Sequence, residues 1–133
     1  MYRYDVFISY NTAQVQWVRK FVKRLRALGV QPFFDQDIDL AGSKLHEAIA
    51  QGMIDSRCCV VILTPESVTS GWVGYEIERA LKKDPDAERR FLIPLLLKDC
   101  TIPPRLNLLK RIDCQRGLTK RKLAELLRAI ACR

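Results

Sequence analysis

The sequence has little of what marks membrane and secreted proteins. Its longest apolar runs, residues 58–63 and 91–97, are far shorter than the roughly 20 residues that a membrane span needs. Asp5 interrupts the first apolar run, and no long apolar region follows a basic start, so we expect no secretory signal peptide. We therefore expect neither a membrane span nor export.

Histidine and closely spaced cysteines are also scarce. The chain has one histidine, His46, and five cysteines, with no C-x-x-C pair. A zinc site needs several such ligands at close spacing, so we expect no metal. Cys58 and Cys59 lie inside an apolar run, as small core residues do. This use of cysteine indicates a reducing, cytoplasmic compartment.

The charge is strongly positive and unevenly placed. The net charge is +8, and residues 98–133 hold ten basic but only three acidic side chains. A second basic cluster lies on the first predicted helix, at Arg19, Lys20, Lys23, Arg24 and Arg26. No nucleic-acid-binding motif accompanies these residues, and aromatic residues are not interleaved with them. We favour a solvated or interaction face over nucleic-acid binding.

Hydrophobic periodicity predicts strands that alternate with helices. Strands are predicted at 4–9, 30–34, 58–63, 91–97 and 110–113. Helices are predicted at 15–28, 44–55, 64–83 and 118–132, with loops at 35–43 and 98–109. The third helix has a second start signal at Ser70-Gly71, so it can be broken there. The alternation predicts a doubly wound α/β domain with a five-stranded parallel sheet and helices on both faces.

Ligands of such folds bind at the carboxyl ends of the strands, but common chemistries are missing there. No G-x-G-x-x-G or GKS/GKT phosphate loop occurs. A phospho-receiver domain needs an acid at the end of the third strand, where this chain has Leu63-Thr64-Pro65. The single histidine has no G-x-S-x-G elbow near it, which excludes a nucleophilic triad of that kind.

One pair of residues remains as a candidate site. Trp72 and Glu76 are four positions apart, and therefore share one face of a helix. A carboxylate beside an indole can be desolvated, which raises its pKa. Such a group can hold ribose hydroxyls or stabilise an oxocarbenium-like transition state. From these residues alone, the plainer interpretation is that Trp72 anchors the core and Glu76 is a surface acid.

Several short motifs, in the right order, resemble those of a TIR (Toll/interleukin-1 receptor) domain along nearly the whole chain. YDVFISY at 4–10 is similar to the family's first box. FFDQDIDLAGS at 33–43 resembles the second strand entering the BB loop. SGWVGYE at 70–76 matches the pattern S-x-W-C-x-x-E, with Val73 in place of the cysteine.

The resemblance implies a flavodoxin-like fold, one domain over residues 1–133, and the bacterial, NAD+-cleaving branch of the family. Those enzymes use a glutamate that matches Glu76, and NAD+ is their substrate, so no cofactor is expected. Self-association with other TIR domains would move the BB loop and open the site. The implied substrate-binding residues are Ser9, Tyr10, Asn11, Asp35, Asp37, Leu40, Gly42, Ser43 and Trp72.

A non-enzymatic module for TIR–TIR signalling is the main alternative. Ala13-Gln14 stands where many bacterial members carry an Asp, so the acidic helix start of those members is lost here. We expect the basic residues to lie away from the Trp72–Glu76 pocket.

The chain stops as its last helix ends, so we expect it to be the N-terminal domain of a longer protein. A role in bacterial immunity or antiphage defence is implied by the resemblance alone.

Overall fold

The computed structural model describes residues 2–37, 45–86 and 89–131. Its five strands are parallel and form one sheet in the order β2-β1-β3-β4-β5. The strands are β1 (Tyr4–Ser9), β2 (Pro32–Phe33), β3 (Ser56–Leu63), β4 (Leu92–Leu96) and β5 (Ile112–Asp113). The helices are α1 (Val15–Ala27), α2 (Leu45–Ile54), α3 (Pro65–Val68), α4 (Gly71–Lys83) and α5 (Lys120–Ala131). The predicted doubly wound α/β fold is confirmed.

Two hydrophobic layers cover the two faces of the sheet. Val6 and Ile8 of β1 belong to the layer beneath α1 and α5. Phe7, between them, belongs to the layer beneath α2 and α4, because successive strand residues point to opposite faces. Strand β3 is central and buried from Cys58 onward on both faces, which explains its unbroken apolar run. None of the described helices is both long and apolar enough to cross a membrane.

The predicted strand at 30–34 is too long: β2 holds only Pro32 and Phe33. The residues just before β2 form the C-terminal end of α1. The Val30 N–H donates to the carbonyl of Leu25, and Gly29 has a φ of 84°, as in a helix C-terminal cap. Val30 therefore completes the helix end and is not available to the strand.

The other boundaries differ in smaller ways. Strand β3 starts at Ser56, two residues before the predicted start. The prediction missed these two residues because they are polar and lie outside the apolar run. The buried Ser56 hydroxyl donates to the carbonyl of Gly52 at 2.6 Å. Strand β5 is shorter than predicted, at Ile112–Asp113. Short 3-10 turns occur in both predicted loops, at Asp35–Asp37 and Pro104–Leu106.

The break in the helical segment after β3 occurs where the sequence indicated it. Thr64 caps α3 through a capping box with Ser67, which satisfies two backbone donors at the helix start. Ser70 then caps α4, with its hydroxyl accepting the N–H of Val73. This second cap sets the start of α4, and so determines the position of Glu76 on it.

Lys83 holds the other end of α4. Its Nζ donates to the carbonyls of Met53, Ile54 and Ser56 at 3.0, 3.2 and 3.3 Å. It also lies 4.4 Å from the centre of the Phe91 ring. Burial lowers the pKa of this ammonium below its usual value. One side chain thus ties the end of α4 to the end of α2 and the start of β3.

Substituting Gly52 by alanine should destabilise the fold. A Cβ at Gly52 would lie 2.5 Å from Cε2 of Phe33, and such overpacking costs about 1–3 kcal/mol. Gly74, inside α4, is the matched control because its Cβ would meet no atom within 4 Å. Gly74→Ala should stabilise the protein by about 0.5–1 kcal/mol. Urea unfolding measures both, and equal effects of the two substitutions would contradict this packing.

Candidate active site

A buried acid lies at the carboxyl end of β1. Glu76, on α4, is only 3% exposed. The hydroxyl of Ser9, the last residue of β1, donates to its Oε1 at 2.8 Å. Ser9 itself is 1% exposed. The interpretation of Glu76 as a surface acid is therefore wrong, since its carboxyl group is held inside the protein between a strand end and a helix.

The environment of Glu76 favours its neutral form. Burial raises the pKa of the carboxyl from 4.5 to about 8, although the hydrogen bond from Ser9 opposes the rise. The charge of Asp35 raises the pKa further, because two like charges disfavour each other's ionisation. At neutral pH the carboxyl is mainly protonated, and a nearby cation would draw it into its ionised form.

A second acid lies beside the first. The hydroxyl of Tyr10 donates to Oδ1 of Asp35 at 2.7 Å. Burial is the main cause that raises the pKa of the Tyr10 phenol above its usual value, and the bond to Asp35 adds to it. The phenol therefore stays protonated and remains a hydrogen-bond donor. Tyr10 and Asp35 connect the end of β1 with the segment after β2, so the structure brings together three of the predicted segments.

The space against Glu76 is narrow. A cavity of about 10 Å³ lies against it, which is room for about one water molecule. Glu76, Tyr10 and Asp35 are its polar walls, and the apolar walls are Phe7, Ile8, Phe33 and Ile49. The ring of Phe33 stacks on that of Phe7, with centroids 5.2 Å apart. A ligand larger than water reaches Glu76 only after one of these walls moves.

The remaining predicted residues fall in different places. The Oδ1 atom of Asn11 accepts the N–H of Ala13 at 2.9 Å, so this oxygen shapes the turn after β1. Asp37 closes a 3-10 turn, and Trp72 lies on α4 one turn before Glu76; their side chains lie outside what the structure describes. So do three other predicted binding residues: Leu40, Gly42 and Ser43.

Arg19 was not predicted as part of this region. Its Nη2 lies 3.5 Å from Oε1 of Gln36, and its guanidinium is 5.8 Å from the centre of the Phe34 ring. Arg19 does not line the cavity against Glu76, but its charge lowers the pKa of the Tyr10 phenol, so the two side chains are close. The signal was its position: it lies in the second turn of α1, just after β1 ends, at the edge of the sheet where ligands bind.

Gln14 occupies the loop position that departs from the family pattern. It is buried, and its Nε2 donates to Oε1 of Glu66 at 2.9 Å. Glu66 lies in the first turn of α3, so the bond joins the loop after β1 to the segment after β3. The contact from this loop to α3 is therefore made by the Gln14 amide, where the family pattern has the carboxylate of an Asp.

A larger cavity of about 720 Å³ lies between α4, β4 and α5, lined by mixed apolar and charged residues such as Leu92 and Arg128. Glu76, the one carboxyl group in the described ranges whose pKa is raised, does not line this cavity. In the described ranges no three His, Cys, Asp or Glu residues cluster closely enough to hold a metal ion.

Comparison with known proteins gives one family. The family model described as "TIR domain" matches residues 6–129. Among solved structures, the TIR domain of the Toll-related receptor TRR-2 from Hydra magnipapillata superposes with a TM-score of 0.84 at 23% identity. The match covers 96% of this chain and 98% of that one, and at this identity it shows the shared fold.

Two curated relatives carry names that state an activity. The NAD(+) hydrolase TirS of Staphylococcus aureus is 30% identical over 93 residues, which are 69% of this chain and 33% of that protein. The probable 2' cyclic ADP-D-ribose synthase TcpO of Methanobrevibacter olleyae is 31% identical over 100 residues, which are 74% of this chain and 28% of that protein. The chain thus spans about a third of the length of these relatives.

Replacing Glu76 should stabilise the protein, and more so at high pH. The folded-state pKa of Glu76 is raised, so the folded protein holds a proton that the unfolded chain loses, and stability falls between about pH 4.5 and pH 8. Glu76→Gln removes this loss. Its stability gain over the wild type should be greater at pH 8.5 than at pH 5.5 by on the order of 3 kcal/mol.

Urea unfolding at the two pH values measures this difference. Glu78→Gln, a substitution of an exposed carboxylate on the same helix, is the matched control. Its effect should be the same at both pH values. A Glu76→Gln effect that does not change with pH would contradict the burial of an ionisable carboxyl at this position.

Proposed function

The chain belongs to the TIR domain family, and from this premise we propose that it is an NAD+ glycohydrolase. It cleaves the bond between nicotinamide and ribose and releases nicotinamide with ADP-ribose or a cyclic isomer of it. The observation that carries the proposal is the buried Glu76 carboxyl, bonded to Ser9 at the carboxyl edge of the sheet. The names of the two relatives support the same reaction.

Glu76 would act on the charge that develops at the ribose. The pyridinium of NAD+ is cationic, so its arrival favours the ionised form of Glu76, whose proton passes to solvent. The carboxylate then accepts hydrogen bonds from the ribose hydroxyls and stabilises the oxocarbenium-like transition state. In a buried site this interaction is stronger than in water.

The bond changes balance without any further reactant. The bond between C1′ and the nicotinamide nitrogen breaks, and its electron pair leaves with nicotinamide, which becomes neutral. Water, or the adenine of the same molecule, then donates an electron pair to C1′, and the proton that this nucleophile loses passes to solvent. NAD+ is consumed as a substrate, and the reaction needs no cofactor.

The residues around Glu76 have distinct proposed roles. Ser9 holds the carboxyl and favours its charged form. Tyr10 and Asp35 form a polar wall that faces the pyridinium end of the substrate. Asn11 shapes the turn that carries them. Trp72 and residues Asp37, Leu40, Gly42 and Ser43 complete the proposed binding site.

Access to Glu76 is the proposed point of control. The cavity of about 10 Å³ is too small for a dinucleotide, so a wall must move before NAD+ binds. We propose that self-association with other TIR domains drives this movement through the segment that follows β2. Activity should therefore rise more steeply than in proportion to protein concentration.

Nicotinamide release tests the proposed reaction. Wild-type protein at increasing concentration, with a crowding agent, should release nicotinamide from NAD+. Glu76→Gln should lower kcat at least about 100-fold, because it removes the charge that stabilises the transition state. Glu78→Gln should keep activity within about twofold, since this residue lies on the exposed side of α4.

Two outcomes would contradict the proposal. No release by an assembled wild type would leave a non-enzymatic module for TIR–TIR association, the alternative function. Equal release by wild type and Glu76→Gln would instead remove Glu76 from the reaction. Light scattering of the same samples reports whether assembly has occurred.

The pH dependence should respond to Ser9. If ionised Glu76 is the active form, kcat/KM rises with pH through the pKa of Glu76, which is about 8. The Ser9 hydroxyl lowers that pKa, so Ser9→Ala should move the rising limb to higher pH. A limb at the same pH in both proteins would show that the group that controls the rate is not bonded to Ser9.

A further inference from the structure

The carboxyl groups that line the site can carry only negative charge, and none of the described basic side chains lines it with them. Asp35 and Glu76 are the ionisable acids against the cavity, and their charges act on each other. Such a region suits the cationic pyridinium of the proposed substrate. The same substrate carries two negative charges on its pyrophosphate, a few ångströms further along the molecule, and these charges need a cation.

Arg19 supplies a cation beside these acids. Its side chain is exposed. Its positive charge opposes the rise in the pKa of Tyr10 that burial causes, so its guanidinium lies within electrostatic reach of the phenol. Tyr10 is in turn bonded to Asp35 at 2.7 Å. Glu76, Asp35 and Tyr10 thus line one cavity, and Arg19 lies beside them, where it contacts Phe34 and Gln36.

The guanidinium of Arg19 contacts two neighbouring side chains. It lies over the Phe34 ring, 5.8 Å from its centre, and Nη2 contacts Oε1 of Gln36 at 3.5 Å. Among the side chains that the structure describes, which do not include that of Asp37, no carboxylate forms an ion pair with it. A planar guanidinium matches phosphate oxygens with two parallel hydrogen bonds.

We propose that Arg19 binds the pyrophosphate of the dinucleotide and so fixes the direction in which the substrate enters. The pyridinium end then points to Asp35 and Glu76, and the adenosine end points away from them. This inference rests on the proposed function, because it takes NAD+ as the substrate. It makes Arg19 a specificity residue, which distinguishes phosphorylated substrates from the bare nucleoside.

Two substrates and two variants test the assignment. Nicotinamide riboside has the bond to be cleaved but no phosphate. Arg19→Gln should raise KM for NAD+ about 10–100-fold, as expected for a lost charged hydrogen bond, with kcat nearly unchanged. It should leave kcat/KM for nicotinamide riboside within about twofold. Arg19→Lys, which keeps the charge but not the paired donors, should be intermediate.

Lys20→Gln is the matched control, because it removes one positive charge from the neighbouring position of α1. It should leave both substrates unaffected. An equal loss of kcat/KM for NAD+ and nicotinamide riboside in Arg19→Gln would overturn the assignment, since Arg19 would then act through Tyr10 or Asp35. An equal loss of kcat/KM for NAD+ in Lys20→Gln would also overturn the assignment, since the effect would then come from the net charge of α1.

Binding of ADP-ribose separates this proposal from the proposed reaction. Calorimetric titration should show about 10–100-fold weaker binding to Arg19→Gln than to wild type, whether or not nicotinamide is released. Unchanged ADP-ribose binding would overturn the role of Arg19. Normal ADP-ribose binding by a wild type that releases no nicotinamide would instead contradict the proposed reaction.

Discussion

The hydrogen bond between Ser9 and Glu76 joins the sheet to the helix that carries the acid. Ser9 ends β1, beside the central strand β3, and Glu76 faces it from α4. A carboxyl group at 3% exposure is costly to ionise, so the fold must hold α4 firmly to keep it there. Ser70 at one end of the helix and Lys83 at the other provide this restraint. The acid is thus a local cost that the surrounding structure offsets.

The same bond sets the chemistry of the site. Burial raises the pKa of Glu76, and the Ser9 hydroxyl limits the rise. The carboxyl can therefore change its protonation state near neutral pH, when a positively charged group comes close. Asp35 lies against the same cavity as Glu76, and Arg19 acts on the neighbouring Tyr10, so charges of opposite sign lie close to the site. In the proposed function, these charges complement those of NAD+ at its pyridinium and its pyrophosphate.

Most of the fold could be predicted because its signals are local. The apolar stripe of α1 and the unbroken run of β3 depend on spacing within one segment. The caps at Thr64 and Ser70 are visible in the sequence for the same reason. The length of β2 was not predictable in this way, because the end of α1 uses the N–H of Val30.

The site was predicted less completely, because its geometry depends on distant segments. The spacing of Trp72 and Glu76 fixes a helix face, but it does not say whether that face is buried. The resemblance predicted Glu76 and Ser9 as site residues, and in the structure Oγ of Ser9 lies 2.8 Å from Oε1 of Glu76. Arg19 looked like part of a solvated helix face, since its contacts with Phe34 and Gln36 form only when β2 folds beside β1. Gln14 and Glu66 form a hydrogen bond although they are 52 positions apart in the sequence. No periodic pattern of residues predicts a contact at such a separation.

The most direct test of this account is the titration of Glu76 itself. Carbon-detected NMR of protein labelled at the glutamate carboxyl carbons follows each ionisation separately, and Glu76→Gln identifies the relevant signal. Burial of Glu76 predicts one glutamate signal with a midpoint near pH 8, absent from that variant. A Glu76 signal that titrates near pH 4.5, the ordinary value for this side chain, would contradict it.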